Sequence, residues 1–204
     1  MIRTLINIPK ECYVAVSGGP DSMAVLDFLR LSKRNLGALY VDHRTGASDV
    51  SEKVVHNYCT RYDIPLEVYQ LPPIGELQEK HNNSPEACWH EERKAFFHSM
   101  DRPVITGHNL DDACEWWLFT SFNGIPHLMP AANKNILRPF LLTKKNILKG
   151  WCDDKGVPYA IDPSNVSYKH SRNRIRHEIL PQVLKIQPGF RKVISKKLIK
   201  EYRV

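Results

Sequence analysis

The sequence predicts an α/β fold: a parallel five-stranded sheet with helices on both faces, followed by a short basic helical extension. Three observations carry that expectation. Short apolar segments alternate with helical ones along most of the chain, the pattern of parallel strands joined by crossover helices. The first strand runs into Ser17-Gly18-Gly19-Pro20-Asp21-Ser22 and then into a helix, a turn suited to a bound phosphate. The net positive excess sits in the last segment, outside the alternating body.

Strands are expected at 12–16, 36–41, 66–71, 103–107 and 136–139, each short and apolar enough to be buried in a parallel sheet. The helix after the glycine turn covers 23–29, with its apolar face toward the sheet. A second helix spans 50–62, with Val54, Val55 and Tyr58 on one side. Residues 71–85 are polar and rich in Pro and Asn, which predicts a loop. Ser84 is placed to cap the next helix and Pro85 to open it, and that helix runs to Phe97. Further helices are expected at 111–122, 143–155 and 173–184, the last with Pro181 near its end. Such a sheet binds ligands at the C-terminal ends of its strands, where the strand order reverses. The turns after Val16, Val41 and Thr106 lie on that edge and carry the unusual polar residues.

At 204 residues the chain can form one well-cored domain with a small appendage, and 42% hydrophobic with 25% charged residues is ordinary for a globular protein. No apolar run is long enough to span a bilayer and the N-terminus lacks a signal-peptide pattern, so no membrane partner is expected. The five cysteines are scattered, odd in number and free of any C-x-x-C pair. Reduced thiols and a cytoplasmic location are expected, not a zinc or iron–sulfur framework. Residues 169–204 hold eleven Lys/Arg and two Asp/Glu, leaving 18 basic and 20 acidic side chains in the rest. A near-neutral body with a basic extension points to an anionic macromolecule as partner.

The hexamer at 17–22 is not a Walker A loop, because no lysine follows its glycines to reach the outer phosphates. An aspartate stands there instead. Asp21 beside polyphosphate makes chemical sense if Mg²⁺ lies between them, which makes Asp21 the candidate metal ligand. The plain alternative is an Asp-Ser helix start after a tight turn. After the second strand, Val41-Asp42-His43-Arg44 is placed to border the base and ribose of a nucleotide whose phosphates lie on the first turn; an ordinary polar strand end is the equal alternative. After the fourth strand, Gly107-His108-Asn109-Leu110-Asp111-Asp112-Ala113-Cys114-Glu115 brings three carboxylates and an imidazole to the same edge. Glu115 falls at helical spacing from Asp111 and Asp112. Such a group can hold Mg²⁺ or an ammonium group, or simply serve the start of a helix. Near the end, Arg172 and Arg176 are one helical turn apart, and arginine suits bidentate phosphate contact. A solvated basic helix is the alternative there.

Taken together, these stretches resemble the tRNA(Ile)-lysidine synthetase family of PP-loop (N-type) ATP pyrophosphatases. The resemblance runs from about Tyr13 to Pro181 in the family's order. Its parts are Ser-Gly-Gly-x-Asp-Ser at 17–22, Val-Asp-His at 41–43, an Arg-containing helix ending Phe96-Phe97, and His-x-x-Asp-Asp at 108–112 with Glu115. Arg138-Pro139, Asp162-Pro163-Ser164-Asn165 and Arg172-Asn173-Arg174-Ile175-Arg176 follow. The first motif belongs to the whole superfamily, and the last two together are specific to lysidine synthetases. The chain departs from the pattern at Asn109, Ala113 and Trp116, where the family usually has His, Gln and Thr.

The resemblance implies a Rossmann-like PP-loop domain at residues 1–160 and a tRNA-contacting basic helical extension at 161–204. It implies ATP and Mg²⁺ as cofactors, and tRNA(Ile) and free L-lysine as partners. The wobble cytidine is adenylated, pyrophosphate leaves, and the lysine ε-amine displaces AMP. On this reading Ser17, Gly18, Gly19, Pro20, Asp21, Ser22, Asp42, His43 and Gly107 hold the nucleotide. Asp21, Arg93, His108, Asp111, Asp112 and Glu115 carry the chemistry; the acidic group receives the lysine, and Arg93 reaches the adenylate phosphate or the RNA. Arg172, Arg174, Arg176, Lys192 and Lys196 contact RNA. Two other readings compete: a thiolase-like PP-loop tRNA-modifying enzyme, against which the isolated cysteines argue, and a non-catalytic ATP- or RNA-binding homologue.

Overall fold

Six strands form one sheet in the computed structural model, which describes residues 1–44, 48–161 and 171–202. They are β1 (Glu11–Val16), β2 (Asn35–Asp42), β3 (Leu66–Gln70), β4 (Val104–Ile105), β5 (Ala132–Asn133) and β6 (Ile136–Leu137). The spatial order is β3-β2-β1-β4-β6-β5, with every pair parallel except β5 against β6. The sheet therefore exceeds the expected five parallel strands by one antiparallel edge strand. Ala132–Asn133 is too short to show a period in sequence, and only its pairing with β6 defines it.

The pleat divides the core. Cys12, Val14 and Val16 of β1 and Leu36, Ala38 and Tyr40 of β2 point to one layer, whereas Tyr13, Leu39 and Val41 point to the other. The first layer is closed by α1 (Pro20–Leu31), α2 (Ser48–Arg61) and α6 (Lys145–Lys155) through Met23, Leu26, Val55 and Leu148. The second is closed by α4 (Pro85–His98) through Phe97. Ser84 caps α4 by accepting the Ala87 N–H, with Pro85 in the first turn, as expected from its sequence. Asp27 is buried in the first layer, where it accepts hydrogen bonds from Tyr58, Arg30 and Trp151. Burial pushes its carboxyl up, but those donors outweigh it and hold the group below its ordinary range. This buried charge is a structural tie.

A third apolar cluster joins α5 (Leu110–Phe122), α8 (Leu180–Ile186) and α9 (Phe190–Tyr202) through Leu110, Cys114, Leu180, Ile194 and Leu198. The basic extension thus contributes a helix whose apolar i, i+4 pair, Ile194 and Leu198, is buried, while Lys192 and Lys196 are exposed. The helix expected at 173–184 is divided into α7 (Ser171–Arg174), a π-helical turn at Ile175–Ile179, and α8. Pro181 lies in the first turn of α8, where its missing N–H costs least, and the wider turn before it absorbs the break in the ladder. The stretch at 71–85 is not all loop, because α3 (Ile74–His81) lies inside it and ends on Asn82 in the left-handed conformation. Only Leu77 of that helix is buried, so no apolar period marks it in the sequence. Asp162-Pro163-Ser164-Asn165, Lys169 and Arg203 lie outside the described residues.

Gly18 has a φ of +75°, and a Cβ there would lie 2.9 Å from the Ser51 carbonyl oxygen. Gly18→Ala is therefore expected to destabilise the fold by roughly 2 kcal/mol or more, through strain and the clash with α2. A thermal melt several degrees below wild type checks this. An unchanged melting temperature contradicts it.

Candidate active site

β1 has β2 and β3 on one side and β4 and β6 on the other, so the strand order reverses between β1 and β4. The turns leaving those two strands meet at that point. Gly107 makes this possible, because a Cβ on it would lie 3.2 Å from the backbone of Ser22.

The turn at 17–22 is tied by its own side chains. Ser22 Oγ accepts the Ser17 N–H at 3.1 Å and donates to the Gly19 carbonyl at 3.1 Å. The Ala160 N–H donates to the Gly18 carbonyl at 2.8 Å. A Cβ on Gly19 would meet only Ser17 Oγ, at 3.6 Å, so the space beside Gly19 is open. Among the described residues no side chain caps α1 at Gly19, which leaves the leading N–H groups of the helix available to an anion.

Asp21 stands in the first turn of α1. Its Oδ2 lies 3.3 Å from Lys145 Nζ, while its Oδ1 is buried with no hydrogen-bond partner among the described residues. Burial pushes this carboxyl up, Lys145 opposes the shift and Asp112 adds to it, with the result at about 6. A buried carboxylate oxygen without a donor fits a cation. Among the described residues no group of three or more His, Cys, Asp or Glu could hold a metal by itself. A Mg²⁺ ion shared between one carboxylate and phosphate oxygens needs no such group.

The acidic stretch opens α5, and its members are engaged. Asn109 caps the helix, accepting the N–H groups of Asp111 (2.9 Å) and Asp112 (3.2 Å), while Asp112 Oδ2 accepts the Asn109 N–H at 2.9 Å. Asp111 accepts from Arg191 Nε at 2.9 Å and from the Lys145 N–H at 2.9 Å. Glu115 is buried and takes both arms of Arg176, at 2.8 Å each, and Arg176 also reaches Asp112 Oδ1 at 3.2 Å. Burial pushes the Glu115 carboxyl up against the pull of Arg176.

A second, basic half adjoins it. His108 accepts or donates to Thr106 Oγ1 at 2.8 Å. Burial, then Arg138, Arg93 and Arg172, push its imidazole down to about 3, so it is neutral at pH 7. Burial and Arg172 lower the pKa of Arg93, and burial lowers that of Arg138. Among the described residues no carboxylate pairs with Arg93, Arg138 or Arg172; Arg172 instead lies 5.7 Å from the Trp116 ring.

The remaining predicted residues lie farther out. Asp42 ends β2, where its carboxylate accepts the Arg44 N–H at 2.7 Å and Gln70 Nε2 at 3.2 Å, and the His43 ring meets Trp89 edge-on. Arg174 pairs with Glu178 on an exposed turn. The sequence reading missed Lys145 beside Asp21 and Arg191 on Asp111. The available signal for Lys145 was its place at the start of the helix after β6, a strand that ends on the same edge.

The chain is 33% identical over 198 residues to a tRNA(Ile)-lysidine synthase of Nitratidesulfovibrio vulgaris, covering 88% of this chain and 56% of the relative. It is 33% identical over 184 residues to that of Bacillus licheniformis, covering 81% and 38%, and 29% identical over 195 residues to that of Clostridium tetani, covering 88% and 42%. The chain spans about half the length of the curated relatives it matches. In fold it is similar to the NH3-dependent NAD synthetase of Campylobacter jejuni, with a TM-score of 0.54 at 9% identity over 96% of this chain and 86% of that one. The PP-loop domain family matches residues 4–183, which include the glycine turn, both halves of the crevice and the Arg172–Arg176 stretch. A glycine turn with an uncapped helix at the β1–β4 reversal, and a family match over most of the length, lead to one conclusion: the chain belongs to the PP-loop domain family.

Proposed function

We propose that this chain is the ATP-using part of a cytoplasmic ligase that adenylates the wobble cytidine of tRNA(Ile) and joins lysine to it, giving lysidine. The observation that carries the reading is the contact, across the β1–β4 crevice, of the glycine turn bearing Asp21 with the Gly107-His108 turn, beside arginines that have no carboxylate partner among the described residues. The relatives' names, tRNA(Ile)-lysidine synthase, support tRNA(Ile) as the substrate, and free lysine is the amine this reading adds.

The chemistry has two steps. The cytidine 2-oxygen attacks the α-phosphorus of ATP and the bond to pyrophosphate breaks. The lysine ε-amine then attacks C2, the C2–O bond breaks, AMP leaves and the nitrogen gives up a proton. The uncapped start of α1 and the open face of Gly19 receive the departing pyrophosphate. Asp21 would hold Mg²⁺, which when bound offsets negative charge on the phosphates. Arg93, Arg138 and Arg172 offer charge-assisted hydrogen bonds to the adenylate phosphate, and neutral His108 an uncharged edge. Four carboxylates, Asp21, Asp111, Asp112 and Glu115, meet three cations, Lys145, Arg176 and Arg191. Among the described residues this acidic half thus carries one carboxylate more than its paired cations, which suits an incoming ammonium group.

ATP–pyrophosphate exchange with and without tRNA(Ile) tests the reading. Exchange that requires the tRNA supports it, and ATP binding without exchange under either condition replaces it with a non-catalytic homologue. A thiolase-like relay is disfavoured, because all five cysteines are buried. Burial pushes Cys12 and Cys59 up to about 11 and Cys114 and Cys152 up to about 12, where no thiolate is available.

Lys192 and Lys196 share the exposed face of α9 and are the candidates for RNA phosphate contact in the described part of the extension. Lys192→Gln with Lys196→Gln is expected to lower tRNA affinity and flatten its salt dependence by up to about 0.7 to 0.9 per lost contact. ATP affinity is expected to be unchanged. A salt titration with identical slopes for variant and wild type removes α9 from the interface.

A further inference from the structure

The glycine turn lacks the lysine that a Walker A loop carries, yet a lysine reaches it from another element. Lys145 is the first residue of α6. Its N–H is held by Asp111 Oδ2 at 2.9 Å, and Asp111 is held in turn by Arg191. The backbone of Lys145 is thereby fixed against the start of α5, and its side chain extends 3.3 Å from Asp21 Oδ2 on the phosphate turn. A cavity of about 440 Å³ opens there, lined by Pro20, Asp111, Lys144, Lys145, Lys149 and Arg191 among others. Arg191 is tied to Asp111 and Lys149 to Asp153. Lys145 is the lining cation whose partner lies on the turn itself.

We propose that Lys145 is a phosphate-contacting residue of this site, one that holds Asp21 while no nucleotide is bound and moves onto the polyphosphate when a divalent ion takes that carboxylate. This rests on the ATP-binding reading above. The physical basis is a charge exchange. Asp21 can pair with Lys145 or with a metal ion, and the metal is the stronger partner for a hard oxygen ligand. The released ammonium, a point charge with three donors on a flexible stem, then lies within one side-chain rotation of the anion on the turn. At 43% side-chain exposure Lys145 has room for that rotation.

The test is calorimetric titration of Mg²⁺–ATP into wild type, Lys145→Ala, Lys145→Arg and Lys149→Ala, with thermal unfolding of each variant to confirm the fold. Lys145→Ala is expected to lose at least about tenfold in affinity, as for removal of one charge-assisted contact. Lys145→Arg, which keeps the charge, and Lys149→Ala, whose cation is committed to Asp153, are expected to stay within about threefold of wild type. Titration of Mg²⁺ alone is expected to be no weaker in Lys145→Ala than in wild type. Equal ATP affinity in Lys145→Ala and wild type overturns the inference while leaving the nucleotide site standing. Equal losses in Lys145→Ala and Lys149→Ala overturn it in favour of a general field in the cavity. Wild type that binds no ATP overturns the nucleotide reading and this inference together.

Discussion

Asp21→Asn is expected to lower pyrophosphate release by at least a hundred- to a thousandfold, on the order found when one charge-stabilising group is removed, while the protein melts no lower than wild type. The substitution keeps the shape and removes the charge. The ion pair with Lys145 is partly exposed and contributes little to stability. Against that small loss stands the cost of a carboxylate pushed up to about 6 by burial. The folded state binds a proton at Asp21 more tightly than the unfolded chain does, so above about pH 6 the ionised group weakens the fold. Neutral Asn removes that penalty. The same shift predicts that Mg²⁺–ATP affinity in wild type falls as the pH drops through about 6, because protonated Asp21 no longer ligates a cation. Parallel assays of pyrophosphate release and thermal unfolding at pH 7.5 decide the matter. Turnover at the wild-type rate in Asp21→Asn sinks the proposed role of this carboxylate.

Arg176→Ala is expected to give the largest loss of stability of any single change at the site, about 3–5 kcal/mol. Arg176 meets both oxygens of Glu115, whose side chain is only 3% exposed, and its removal leaves a buried carboxylate without a cation. Burial already pushes the Glu115 carboxyl up, and without Arg176 it rises further. The deficit is therefore expected to shrink as the pH falls and Glu115 takes up a proton. Adding Glu115→Gln to Arg176→Ala is expected to restore part of the lost stability at neutral pH. Chemical denaturation of the two single variants and the double variant measures this. An Arg176→Ala protein as stable as wild type means that the pair is not a tie, and frees Arg176 for RNA contact.

The sheet, the glycine turn and the edge on which the polar residues gather were legible in the sequence, because each rests on a local pattern. Val14 and Val16 alternate with Tyr13, and Gly18 and Gly19 sit between a strand and a helix. The short edge strand at Ala132–Asn133 and the helix at Ile74–His81 were not, since neither buries enough apolar side chains to impress a period on the sequence. At the site, residue types were legible but pairings were not. Asp112 reads as a possible metal or amine ligand, yet half its carboxylate completes the cap that Asn109 builds on α5. Arg176 and Arg191 read as members of a basic extension, yet both fold back onto Glu115 and Asp111, some sixty to eighty residues earlier in the chain. Such contacts depend on how α9 and the π-helical turn pack on α5, which no local spacing encodes.

Under the proposed function, this chain couples ATP cleavage to formation of a lysine adduct on tRNA(Ile). Mass analysis of tRNA(Ile) nucleosides after incubation with the protein, ATP, Mg²⁺ and isotope-labelled lysine tests it most directly. The expected result is a labelled lysidine nucleoside, with AMP and pyrophosphate formed in equal amounts and no adduct when ATP is omitted. An unmodified cytidine in the presence of all components, with the protein folded and ATP bound, contradicts the claim.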